Sequence, residues 1–319
     1  RVEGGAPNAV SLAGHVLLNP RTGLSFGHAA LRSADLDMRT VRLTAPSARL
    51  DGRLAASGTL DGPLDNVTFD GAVEHRDGSR PASRAHGRAR LDIRRADPVF
   101  DVDVRLDPLA FDGIRGSFPG LTFRGDLSGP LRLAGTLDHL VVDGDLHGAL
   151  GRVRMNGTIA LLPPRYGAEG LSIEFGDLDL AMLSPRAPGT RLTGYLEATG
   201  TLDSLRPPEG LLLGTLRGGE VGAFAFDSAG ARLTAGGGRI RADTLFLLWR
   251  DGRLDGQGGL GWSRGDTGQL RLAAGAQSLE PFDSLLSVLA GPADPADTLA
   301  HWLDGSGEAT LLVAGSLDS

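Results

Sequence analysis

The sequence predicts an all-β chain. It reads as an elongated, repeat-built, curved antiparallel sheet, trough-like, with a hydrophobic groove and a few short helices. Three observations carry this. Apolar and polar residues alternate over most of the chain, turn residues recur every 8 to 12 positions, and few aromatics are available to fill a thick core. Of 319 residues, 48 are Gly and only 5% are aromatic. Gly usage is about twice the ordinary ~7%. A compact β domain normally buries large rings. This chain offers aliphatic side chains and turns instead.

The alternation is plainest at Phe100, Val102, Val104 and Leu106, with Asp101, Asp103 and Arg105 between them. Val153, Met155, Gly157 and Ile159 alternate with Arg152, Arg154, Asn156 and Thr158, and Leu171, Ile173 and Phe175 with Ser172 and Glu174. Period two makes one face dry and the other wet. Asp-Gly pairs at 51–52, 61–62, 77–78, 251–252 and 304–305 read as hairpin turns. Helical spacing is confined to 281–290 and 294–304, with shorter helical turns near 108–115 and 178–184. Twenty to twenty-four strands are expected. The longest apolar run, Leu245 to Trp249, is far below the ~20 residues of a membrane span.

Four segments repeat one pattern, a Gly, a short alternating strand and then Gly-(Thr/Ser)-Leu-Asp. They are 51–61, 128–138, 193–203 and 305–318. Leu106-Asp-Pro-Leu109 and Leu178-Asp-Leu180 lead into two of them. Gly inside a strand permits a bend or a close backbone approach, and its regular placement curves a sheet consistently. The approximate modules are 1–90, 91–165, 166–278 and 279–319 of one continuous repeat region. With Arg1 inside turn-like sequence, the chain reads as part of a longer protein.

Chemistry is sparse. A formal charge of −7 opposes a broad nucleic-acid footprint, and the absence of Cys removes disulfides and thiolate metal sites. Gly256 to Gly261 spells G-x-G-x-x-G, but no helix follows it, so a Gly-rich hairpin accounts for it. Arg264-Gly265-Asp266 is a chance tripeptide at this composition. The seven His (15, 28, 75, 86, 139, 147, 301) show no metal-ligand spacing. His139 and His147 read as solvated ends of one segment. The carboxylate pairs Asp101/Asp103, Asp143/Asp145 and Asp177/Asp179 read as a charged outer face. No nucleophile constellation stands out, so no enzyme and no cofactor are expected.

What remains is the aliphatic face. Its predicted lining is Phe100, Val102, Val104, Leu106, Leu131, Leu133, Val153, Met155, Ile159, Leu171, Ile173 and Phe175. Such a surface is a solvent for acyl chains, at about 0.8 kcal/mol per buried methylene.

The repeats, and above all 102–109 continuing through 118–145, resemble the AsmA-like family and within it the TamB-like proteins. The resemblance implies a middle repeat section of an inner-membrane-anchored protein crossing the periplasm of a diderm bacterium. It further implies a groove that conducts phospholipids toward the outer membrane. The implied partners are phospholipids and, through regions outside this chain, an Omp85-type barrel. The alternative is a scaffold for outer-membrane protein assembly that offers open sheet edges to client strands. A surface β-solenoid is disfavoured by repeat intervals of 65 to 115 residues.

Overall fold

In a computed structural model, residues 8–20, 23–44, 50–203, 206–263, 265–278 and 305–317 are described. Strand accounts for 72% of the described residues and helix for 5%, too little described helix to cover the sheet. The chain divides into two units, residues 1–150 with 182–184, and residues 151–181 with 185–319.

The first unit holds β1 (Ala9–Asn19), β2 (Gly23–Asp37), α1 (Met38–Thr44), β3 (Arg53–Pro63), β4 (Asn66–Arg76), β5 (Ser83–Asp92), β6 (Val99–Ala110), α2 (Phe111–Ile114), β7 (Asp126–Thr136) and β8 (His139–Gly148). Each strand pairs antiparallel with the next, from β1 through β8. The second unit holds β9 (Gly151–Ala160), β10 (Arg165–Leu178), the first two residues of α3 (Leu180–Leu183), β11 (Thr190–Asp203), β12 (Arg206–Val221), β13 (Phe224–Phe226), β14 (Ser228–Gly236), β15 (Arg239–Trp249), β16 (Gly252–Gly261), β17 (Gly268–Ala276) and β18 (Gly307–Gly315). Here too every ladder is antiparallel. β13 and β14 share one side of β12. Eighteen strands are thus described, against the twenty to twenty-four expected.

A meander puts alternate connections at opposite strand ends, and the two ends differ. In the first unit α1 and α2 lie at one end of the strands, its helix rim, and in the second unit the end of β10 where α3 begins is its helix rim. These helices recur every fourth strand, between β2 and β3, β6 and β7, and β10 and β11. The Leu-Asp lead-in explains two of these starts. The Asp37 carboxylate accepts from the Arg39 amide at 2.9 Å, and that of Asp179 accepts from the Ala181 amide at 3.0 Å. The first amide of each helix is tied to the approach of the next strand. Met38 N donates to Gly52 O, Phe111 N to Gly125 O and Leu180 N to the Thr190 hydroxyl. Within each unit, rings gather at its own helix rim. Phe111 meets Phe123 edge-on at 5.4 Å, and Phe224, 2% exposed, packs with Phe226, Trp249 and Leu192. Buried His75 reaches the Asp51 carbonyl with Nε2 at 2.6 Å, and the Asp51 amide donates to Ser117.

The opposite end, the turn rim, carries the connections at 64–65, 93–98 and 137–138 in the first unit, and at 161–164, 237–238 and 262–267 in the second.

Several expectations change in detail. Asp61-Gly62 lies inside β3, and the turn falls at Leu64-Asp65. Asp51-Gly52 follows α1 and opens β3, so it joins a helix to a strand. The G-x-G-x-x-G run is strand β16, not the hairpin turn. A Cβ at Gly256 would come within 2.8 Å of Leu245 and Leu272, whose side chains lie over it. Asp179 caps α3 and Asp177 has φ 53°, so that pair is not a strand pair. Helix α1 has no sequence expectation, though Leu36-Asp37-Met38 repeats the lead-in. The helical segments 281–290 and 294–304, and Arg264, lie outside the described residues. Among the described residues no helix is long and apolar enough to cross a membrane.

Candidate functional site

The predicted lining residues fall on one face within each unit. In the first unit, one cross-strand row runs Leu60, Phe69, Ala89, Val102, Leu133, Val142. The next runs Gly58, Gly71, Gly87, Val104, Leu131, Gly144. Phe100 stands opposite Leu91 and Gly135, and Leu106 opposite Ala85 and Gly129. In the second unit, a row crosses nine strands through Met155, Ile173, Leu196, Gly214, Ala231, Leu245, Gly256, Leu272 and Leu311. A parallel row passes through Val153, Phe175, Gly194, Leu216, Ala229, Leu247, Leu254, Ala274 and Ala309. Ile159 pairs with Ala168, and Leu171 with Ala198. No residue of these rows is charged.

Large and small residues alternate along them, which explains the glycine content. A Cβ at Gly194 would meet Leu216 at 2.9 Å and Phe175 at 3.1 Å. Large side chains therefore lie down over neighbouring glycines and keep the face shallow.

This face has little cover. Of the twelve predicted residues only Leu106 and Val153 are buried, and the other ten are half-buried. In the second unit the face hollows into a cavity of about 500 Å³ at the turn-rim half of β10, β11, β12, β14 and β15. Ala168, Ala198, Gly200, Gly210 and Ala235 contribute small residues to its lining, and Tyr166, Leu202, Pro208 and Ile240 larger ones. None of these residues, nor Leu196, Leu212, Leu216, Leu245 and Leu247 of the same face, was among the predicted lining. Leu211-Leu212-Leu213 hides its own face because it does not alternate.

The other face is charged. Asp70, Arg88, Asp103, Arg132 and Asp143 stand opposite one another on five successive strands, with alternating sign. Opposite charges across a ladder favour the register by about 0.2–1 kcal/mol per pair. Asp101 and Asp103 are exposed, as expected of solubilising groups. Arg253 grips Asp255 through two bonds of 2.5 and 2.6 Å and lowers its carboxyl below the usual range. The Arg94 guanidinium holds Asp92 far below it. A depressed carboxyl stabilises the fold above its unfolded pKa, and the contribution is lost as pH falls through the folded value. In an NMR titration the Asp92 carboxyl is expected to stay ionised well below pH 3.9, the ordinary Asp value. Arg94→Ala should return it to the ordinary range. Unchanged titration in that variant would contradict the pairing.

His139 and His147 sit exposed at the two ends of β8. Among the described residues no group of three His, Asp or Glu is placed to hold a metal ion. No family model, no curated protein and no solved structure matches the chain.

Proposed function

We propose that the apolar face is a trough for phospholipid acyl chains, and that the chain is a segment of a periplasmic, AsmA-like lipid-transfer protein of a diderm bacterium. The observation that carries this reading is the pair of uncharged nine-strand rows, mostly half-buried, over which no second layer lies among the described residues. Soluble monomers rarely expose contiguous apolar patches beyond a few hundred Å². An acyl chain covers such a face non-directionally. Ten buried methylenes gain about 8 kcal/mol. Nothing along the rows offers a directional bond, so a chain laid across them can shift between positions. The driving force for net flow is external to this machinery.

One observation favours the scaffold reading as a second. β1 pairs only with β2 among the described residues, is exposed along nearly its whole length and carries no Asp, Glu, Arg or Pro. Natural edges are usually blunted by such residues. Incubating delipidated chain with vesicles of radiolabelled phosphatidylethanolamine, followed by gel filtration, separates the two readings. Lipid eluting with the protein supports the trough. A lipid-free chain that instead retains an extended peptide, and loses it on Val16→Pro, supports the scaffold.

A further inference from the structure

We propose that β1 pairs with β1 of a second copy of this chain, antiparallel about a two-fold axis at Gly14. Such a pairing stands whether or not the apolar face holds lipid. The apolar pattern of β1 reads the same in both directions. Val10, Leu12, Gly14, Val16 and Leu18 share one face. Turned about Gly14, the strand sets Val10 opposite Leu18 of the other copy, and Leu12 opposite Val16. On the other face Ser11 meets Leu17, and Ala13 meets His15. β1 carries no Asp, Glu or Arg, so no like charges of these types oppose each other across the axis. Position 14 also admits no side chain. Its φ is 132°, and a Cβ there would come within 3.0 Å of the Ala29 Cα. The axis is therefore clear for close backbone approach.

The edge is shaped to receive a strand. Val10, Leu12, Val16 and Leu18 are 55%, 40%, 44% and 79% exposed, although Ala34, Leu31 and Phe26, which face the first three on β2, are buried. Bulges commonly blunt such edges. Here the ladder has two, and both extra residues sit on β2. Ser11 and Leu12 face Ser33 and Leu31, which skips Arg32. Where β1 advances two residues, from Ala13 to His15, β2 advances three, from Ala30 to Gly27. The alternation of β1 itself is unbroken.

A two-fold axis normal to an antiparallel pair keeps like faces on one side. The apolar face that runs from Gly58 through Leu31 to Leu12 would thus continue into the other copy at Val16. An isologous contact of this kind closes on itself, so this edge joins two copies and no more.

Charge exchange tests the register. On one strand positions 12 and 16 are about 13 Å apart, too far to pair with each other. Leu12→Arg/Val16→Arg sets like charges opposite each other twice across the axis. Leu12→Arg/Val16→Asp sets opposite charges there. Sedimentation velocity over a concentration series reads the outcome, with circular dichroism to check folding. The expected result is a dimer for the wild-type chain, a monomer for the double-Arg variant and a dimer again for the Arg/Asp variant. The chain has no Cys, so a second readout is direct. Leu12→Cys chains mixed with Val16→Cys chains should form a disulfide-linked dimer under copper phenanthroline, and neither variant alone should. A wild-type chain that stays monomeric overturns the pairing, whether or not it retains an extended peptide. So does a dimer that survives the double-Arg change, or crosslinking of the Leu12→Cys chain with itself as readily as in the mixture.

Discussion

Gly200→Ala is expected to destabilise the second unit by roughly 2–3 kcal/mol, and Gly58→Ala the first by a similar amount. Two effects act together. The motif glycine has positive φ in all four copies, at 155° for Gly58, 113° for Gly135, 155° for Gly200 and 134° for Gly315. L side chains rarely adopt that backbone. In addition, a Cβ at Gly200 would come within 2.3 Å of the Glu209 carbonyl oxygen and 2.7 Å of the Gly210 Cα. At Gly58 the corresponding distances are 2.2 Å to Asp70 O and 2.6 Å to Gly71 Cα. Backbone stands on the other side, so no side chain can swing away. Gly315 has positive φ but open space around it, so Gly315→Ala isolates the conformational part and should cost less. Urea unfolding of the three variants checks the order. Equal midpoints for Gly200→Ala and Gly315→Ala would contradict the steric part.

Val104→Asp and Ile173→Asp are expected to abolish most lipid binding in their own units while the sheet stays folded. Both positions are half-buried, so a carboxylate there keeps contact with water and the fold tolerates it. An acyl chain lying across it would have to desolvate the charge. Ile173 is the second residue of the nine-strand row, between Met155 and Leu196, and Val104 lies between Gly87 and Leu131. Asp103→Asn, on the charged face beside Val104, is the matched control and should leave lipid binding unchanged. Lipid phosphorus per protein, measured beside circular dichroism, reads all three. A wild-type lipid load in both apolar-face variants would refute the groove assignment.

The parts of the fold that were legible in the sequence are those fixed by period two. Phe100 to Leu106 and Leu171 to Phe175 alternate without interruption, and their faces follow directly. The helical turns near 108–115 and 178–184 were legible from Leu-Asp followed by a break, and α2 and α3 lie there. The same signal stands at Leu36-Asp37-Met38, but Met38 to Thr44 carries β-branched residues that fit a strand equally well. The turn at 64–65 was obscured by Asp61-Gly62. That Gly serves β3 at φ 92° instead of reversing the chain. The cavity was not legible at all. It depends on Gly200 pairing with Gly210 and on Ala168, Ala198 and Ala235 meeting beside them, and register between strands is set by bulges that leave little trace in composition. The gathering of aromatics at the helix rim of the second unit was likewise hidden, since Phe175, Phe224 and Trp249 are far apart in sequence.

The claim that the apolar face is a lipid surface is tested most directly by native mass spectrometry of the chain purified from a bacterial host, with the bound lipids then extracted and identified. The account predicts several phospholipids per chain, released together when the protein is unfolded. A well-folded, monomeric chain that flies without lipid, and takes none up from vesicles, would contradict it.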